Sequence, residues 1–92
     1  MQFGYTNLPI NKISIELIIE KLIDISKSGH LKETSNFYLY LRKYESNIQI
    51  FYVENTHENE TDIYLSGKYT RKIIENNTHE IALEILEKIN FF

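Results

Sequence analysis

The residues predict an α+β fold: an antiparallel three- or four-stranded sheet between an N-terminal and a C-terminal amphipathic helix. Three observations carry this prediction. Apolar residues recur at helical spacing from Ile15 to Ile25 and again from Ile81 to Ile89. Between these stretches, Phe37 to Tyr44 and Ile48 to Glu54 are rich in aromatic and β-branched residues and are separated by a short polar turn. Finally, 92 residues with 42% hydrophobic and 25% charged content suit one core and one domain, 1–92, and argue against disorder.

Gly4, Asn7, Pro9 and Asn11 mark an irregular opening segment, within which Gln2 to Thr6 can form a short edge strand. A helix follows from Ser14 to about Ser28. Ile15, Ile18, Ile19, Leu22, Ile23 and Ile25 form its apolar stripe, and Glu16, Glu20, Lys21, Asp24 and Lys27 its polar face. Asn11 or Ser14 can cap its first turn, and Gly29 stands where a helix commonly stops. After the polar connector His30 to Asn36, the hairpin strands join through Glu45-Ser46-Asn47. A polar loop, 55–63 at its widest, leads to a third strand around Asp62 to Ser66.

Beyond Gly67 two readings compete. Either Tyr69 to Glu75 form a fourth strand before a helix capped at Asn77, or a longer helix starts at Thr70 and runs through Asn76-Asn77. Adjacent asparagines inside a helix cost propensity, which favours the fourth strand. Asn77 with Glu80 then fits a looser capping box, and Glu84 with Lys88 makes a favourable pair one turn apart.

Composition narrows the function classes. The absence of cysteine excludes a disulfide scaffold and a thiolate zinc site. The N-terminal residues show no basic and apolar secretory pattern, and the apolar stretch at Ile13 to Ile25 is too short and charged to span a bilayer. The expectation is a cytoplasmic protein without membrane association. Fifteen isoleucines against one valine and one alanine, with nine asparagines and eight lysines against two arginines, point to an AT-rich genome such as that of a low-GC bacterium, its phage or a large DNA virus. A net charge of −3 disfavours non-specific binding to nucleic acid.

Strand alternation places Phe37, Leu39 and Leu41 on one face and Tyr38, Tyr40, Arg42 and Tyr44 on the other. The first is the natural core face. A three-residue hairpin loop would set Ile48, Ile50 and Tyr52 beside the tyrosines; a two- or four-residue loop would set Gln49, Phe51 and Val53 there. Tyrosine offers contact area at low entropic cost while keeping a polar tip in water. Tyr38, Tyr40, Tyr44 and Tyr52 are therefore candidate partner-binding residues, set against cross-strand pairing that merely stabilises the sheet, or a homodimer seam.

The loop 54–62 holds Glu54, Glu58, Glu60 and Asp62 without Lys or Arg, and can steer a basic partner. It lacks the glycine a calcium loop needs, and His57 has no second histidine nearby. His30, His57 and His79 are scattered, no serine–histidine–acid set can be assembled, and the three glycines form no phosphate loop. The expectation is a non-enzymatic protein with no metal and no cofactor.

Lys68, Arg71 and Lys72, with Arg42 and Lys43 near them, form a basic cluster that is the alternative, nucleic-acid-binding site. Thr70-Arg71-Lys72 at the start of the last helix, with Ala82, Leu83 and Leu86 later in it, resembles the double-stranded-RNA-binding domain over about twenty residues. That resemblance implies phosphate contacts from the cluster. Glu75 stands where the family has a further lysine, and Thr78-His79 where it has alanines.

The leading expectation is a small interaction protein acting by stoichiometric protein–protein binding, as immunity proteins and phage-encoded inhibitors of host defence do. Its partner would be a toxin or defence effector, occluded by the tyrosine face and steered by the acidic loop. Duplex nucleic-acid binding and a homodimeric structural role are the alternatives.

Overall fold

A computed structural model describes residues 2–56 and 59–92, with Gln2 described by its backbone alone. The chain runs β1 (Gln2–Pro9), a 3-10 turn (Ile10–Lys12), α1 (Ile15–Ser26), β2 (Tyr38–Tyr44), β3 (Asn47–Val53), β4 (Asp62–Tyr64), α2 (Arg71–Asn76) and α3 (Thr78–Ile89). This is the α+β architecture that the periodicity predicts. The four strands form one antiparallel sheet in the order β1-β3-β2-β4.

α1 begins at Ser14, whose Oγ accepts from the Leu17 amide at 3.1 Å. It ends at Ser26, three residues short of Gly29, and it buries Ile18, Leu22 and Ile25. These meet Leu8, Phe37, Leu39, Leu41, Ile48 and Ile50 from the sheet and Ile74, Ile81, Ala82 and Ile85 from the C-terminal helices. One face of the sheet thus carries the main core.

Two expectations are corrected by the structure. The fourth strand is β1, not Tyr69 to Glu75; only Tyr69 makes a bridge, to Phe37. Residues from Arg71 onward are helical because Thr70 Oγ1 accepts from the Ile73 amide at 3.2 Å and caps the start. The helix then breaks at Asn77, so the two asparagines do not lie in a helix interior. The Asn77 side chain donates to the Ile73 carbonyl at 3.0 Å, closing α2, and makes no capping bond to α3. The capping box with Glu80 is therefore not formed. Glu84 reaches Ser66 instead of serving only a helix-surface pair: its carboxylate accepts from the Ser66 amide at 3.0 Å and ties the segment after β4 to α3.

The hairpin register is settled by a two-residue loop. Tyr44 pairs with Asn47, and Glu45 takes φ 54°, the left-handed conformation that a two-residue hairpin turn requires. Gln49, Phe51 and Val53 consequently share a face with Tyr38, Tyr40 and Arg42, and Tyr52 turns to the other.

Candidate functional site

Tyr38, Tyr40, Arg42 and Tyr44 all lie on the sheet face opposite the main core, as alternation requires. The residues that pack there, Tyr38, Tyr40, Phe51, Val53 and Tyr64, form a second apolar cluster drawn from strands alone, with no helical residue in it. All described helix residues that join a buried cluster join the main one. The sheet has an outer face without a helix over it.

The order of the strands decides what this face looks like. Tyr5 on β1 pairs with Phe51 on β3, Phe51 with Tyr40 on β2, and Tyr40 with Tyr64 on β4. Four aromatic rings therefore cross the sheet in a single row. Phe51 and Tyr40 are stacked at 4.7 Å and 3° between planes. Tyr64 meets Tyr40 edge-on at 5.3 Å, and Tyr5 lies tilted against Phe51 at 5.3 Å. Both stacked and edge-on arrangements suit the ring quadrupole.

The neighbouring row is polar: Asn7, Gln49, Arg42 and Asp62. Arg42 Nε donates to Asp62 Oδ1 at 2.7 Å and a terminal nitrogen donates to Oδ2 at 2.9 Å, a bidentate pair. The same guanidinium carbon lies 5.1 Å from the Phe51 ring centre and 5.5 Å from that of Tyr40. Arg42 thus roofs the stacked pair, and its bond to Asp62 holds its pKa above the ordinary arginine value. Tyr40 is 2% exposed despite having no helix above it. That burial raises its phenol pKa above the usual tyrosine value.

These contacts redistribute the candidate residues. Tyr44 is 56% exposed at the hairpin end, and Tyr5, which sequence reasoning did not single out, is 51% exposed at the open edge of the row. Tyr38 is half-buried, with Lys68 Nζ 5.3 Å from its ring centre. Tyr40 is a buried element of the row rather than an exposed contact. Tyr52 is corrected outright. It lies on the helix-covered face at 6% exposure, and its hydroxyl donates to Ser28 Oγ at 3.1 Å.

Among the acidic candidates, Glu54 and Glu60 are exposed, and Glu58, like His57, lies outside the described residues. The Asp62 side chain is fully buried and paired with Arg42, so it belongs to the face's framework and not to an acidic steering loop.

The basic candidates are engaged at separate places, only Arg71 and Lys72 sharing a cleft among the described residues. Arg42 is ion-paired. Arg71 points back into the molecule, donating to the carbonyls of Ser28 (3.0 Å) and Leu31 after the end of α1. Lys72 lines a cleft of about 340 Å³ with Glu33, Arg71 and Glu75, while Lys43 lines an apolar pocket of about 130 Å³ with Ile10, Ile48 and Phe92. Lys68 sits over Tyr38. Arg71, central to the likeness with the RNA-binding family, is engaged by backbone oxygens in place of phosphates. Among the described residues no group of three or more histidines and acids is placed to hold a metal ion, and no helix is long and apolar enough to cross a membrane.

No protein-family model matches this chain, and neither the curated proteins nor the solved structures contain a significant match to it.

Proposed function

We propose that this chain is a non-enzymatic interaction protein that binds a protein partner stoichiometrically through its outer sheet face. The observation that carries the reading is the second apolar cluster, built on the face that no helix covers. A face serving only to shed water has little use for a row of four rings, the central two roofed by an arginine. Tyrosine, phenylalanine and arginine are the residue types that anchor protein interfaces.

Rigidity adds support. Tyr40, Phe51 and Arg42 are locked by stacking and a bidentate ion pair, so the exposed residues around them stand on a framework whose side-chain entropy is already lost. The exposed Tyr44 and the half-buried Tyr38 flank this framework. The exposed Glu54 follows β3 at the Tyr38 end of the face and the exposed Glu60 precedes β4 at its Arg42 end, where each favours a partner with basic groups. Occlusion of a toxin or a host-defence effector, in the manner of an immunity protein or a phage-encoded inhibitor, is the mode of action this surface suits.

The test is affinity capture from the cells that carry this gene, followed by native mass spectrometry of the complex. The reading expects one dominant protein at fixed stoichiometry, lost when Tyr38→Ser and Tyr44→Ser are combined. Capture that survives this double substitution would move the function off the face.

A further inference from the structure

Strand β1 is an outer strand of the sheet, paired on one side with β3. Edge strands in natural proteins are commonly blunted by charge, shortness or a covering element. β1 is eight residues long, and no Asp, Glu, Lys, Arg or His occurs from Met1 to Asn11.

The hydrogen-bond alternation fixes which backbone groups are open. The Ile10 amide donates to the Ser46 carbonyl at 2.9 Å, which makes Ile10 and Ser46 a hydrogen-bonded pair. Counting back along the register, Leu8–Ile48, Thr6–Ile50 and Gly4–Tyr52 are pairs of the same kind. Tyr5, Asn7 and Pro9 fall between them, so their backbone groups point away from β3. Pro9, which has no N–H, fits this pattern because its missing donor faces outward. Tyr5 and Asn7 each present an amide and a carbonyl to the open edge, beside exposed side chains.

We propose that β1 pairs antiparallel with β1 of a second copy of this chain, joining two sheets into one of eight strands. A two-fold axis at Thr6 sets Tyr5 opposite Asn7 of the second copy and Asn7 opposite its Tyr5. This register uses every outward donor and acceptor of both residues, in about four backbone hydrogen bonds. The adjacent register toward the C-terminus, with its axis at Asn7, opposes Tyr5 with Pro9 at both ends and leaves both Tyr5 carbonyls facing a proline ring without an N–H.

The outward groups of Tyr5 and Asn7 complement themselves about the two-fold axis, and the absence of charged side chains lets a second copy take that place. An isologous seam brings each residue against its own neighbourhood, and a charged edge would there meet like charge. Here no such repulsion arises. The pairing also covers Tyr5, the exposed end of the aromatic row, so the outer faces of the two copies become continuous.

The experiment is a solution mass measurement by light scattering, at protein concentrations up to about 1 mM, on wild type and on Asn7→Pro. Proline at position 7 removes only an outward amide and repeats what Pro9 already does two residues on, so β1–β3 pairing is kept. The proposal expects wild type at twice 11.0 kDa and Asn7→Pro at 11.0 kDa with an unchanged circular dichroism spectrum. It also expects slow hydrogen exchange at the Tyr5 and Asn7 amides in wild type alone. A monomeric wild type overturns it, including one whose β1 amides become protected only against another protein's strand. A dimeric Asn7→Pro also overturns it, since the seam would then lie elsewhere. Should Asn7→Pro unfold, Tyr5→Lys with Asn7→Lys decides. That pair keeps every backbone group and sets lysines against each other across the axis; a folded monomer supports the proposal and a dimer overturns it.

Discussion

The two faces of the sheet come from the same strands and alternate residue by residue, yet they are stabilised differently. On the helix side, Phe37, Leu39, Leu41 and Ile50 are wholly buried because three helices lie across them. On the outer side, Tyr40 reaches 2% exposure and Phe51 6% because neighbouring strands supply Tyr5 and Tyr64, and Arg42 closes over the rings. The first face is an apolar interior. The second is a strand-borne cluster whose order depends on aromatic geometry and one ion pair. Burial therefore does not distinguish the faces. What covers each residue does, and the difference sets what each can do for function.

The difference can be broken most sharply in the core. Phe37 is fully buried and meets Tyr52 edge-on at 6.2 Å and Tyr69 at 6.3 Å. Phe37→Ala should leave a closed cavity and cost about 3–5 kcal/mol in urea denaturation, enough to unfold much of a small domain. Tyr40→Ala removes a side chain of similar burial from the outer layer. There the vacancy opens to water, so the expected loss is smaller, about 2–3 kcal/mol, with the helical circular dichroism signal retained. Equal losses at the two positions would erase the distinction.

Arg42→Ala tests the roof. It strips Asp62 of its bidentate partner, but water can reach the vacated carboxylate, and Arg42 is itself about one-third exposed. The expected cost is about 1–2 kcal/mol, accompanied by new solvent accessibility of the Tyr40 ring in fluorescence quenching.

The smallest effect is the pH response. Burial raises the phenol pKa of Tyr40 on the outer face and of Tyr69 against the core. A raised value means that the folded state holds its proton where the unfolded state releases it. Stability from these groups is therefore complete below the ordinary tyrosine value near 10 and falls as pH rises through the folded values. Thermal unfolding followed between about pH 9 and pH 11 should show the decline, and Tyr69→Phe should reduce it.

Much of this arrangement was readable from the chain. Helical spacing and Ser14 marked α1, and alternation through Phe37–Tyr44 separated core residues from outer ones. The hairpin register was open because Glu45, at φ 54°, does by context what glycine or asparagine does by intrinsic preference. The segment after Gly67 misled for a physical reason. Two asparagines disfavour a continuous helix, but here they mark the break between two helices, with Asn77 closing the first. Arg71 looked like a surface cation because its acceptors, Ser28 and Leu31, lie some forty residues earlier. The place of Tyr5 is hidden in the sequence for a related reason. Only the pairing of β1 with β3 brings it beside Phe51 and makes it the end of the row.

Exposed apolar residues also occur on the helices, among them Ile73 at 39% and Leu83 at 47%, and they define the rival surface. The most direct test of the outer face as docking surface is a calorimetric titration of the captured partner against two double variants. One carries Tyr38→Ser and Tyr44→Ser, the other Ile73→Ser and Leu83→Ser. The account predicts at least a tenfold weakening for the tyrosine pair, about 1.4 kcal/mol, and unchanged affinity for the helix pair, with both variants folded. Loss confined to the helix pair, or no loss in either, would contradict it.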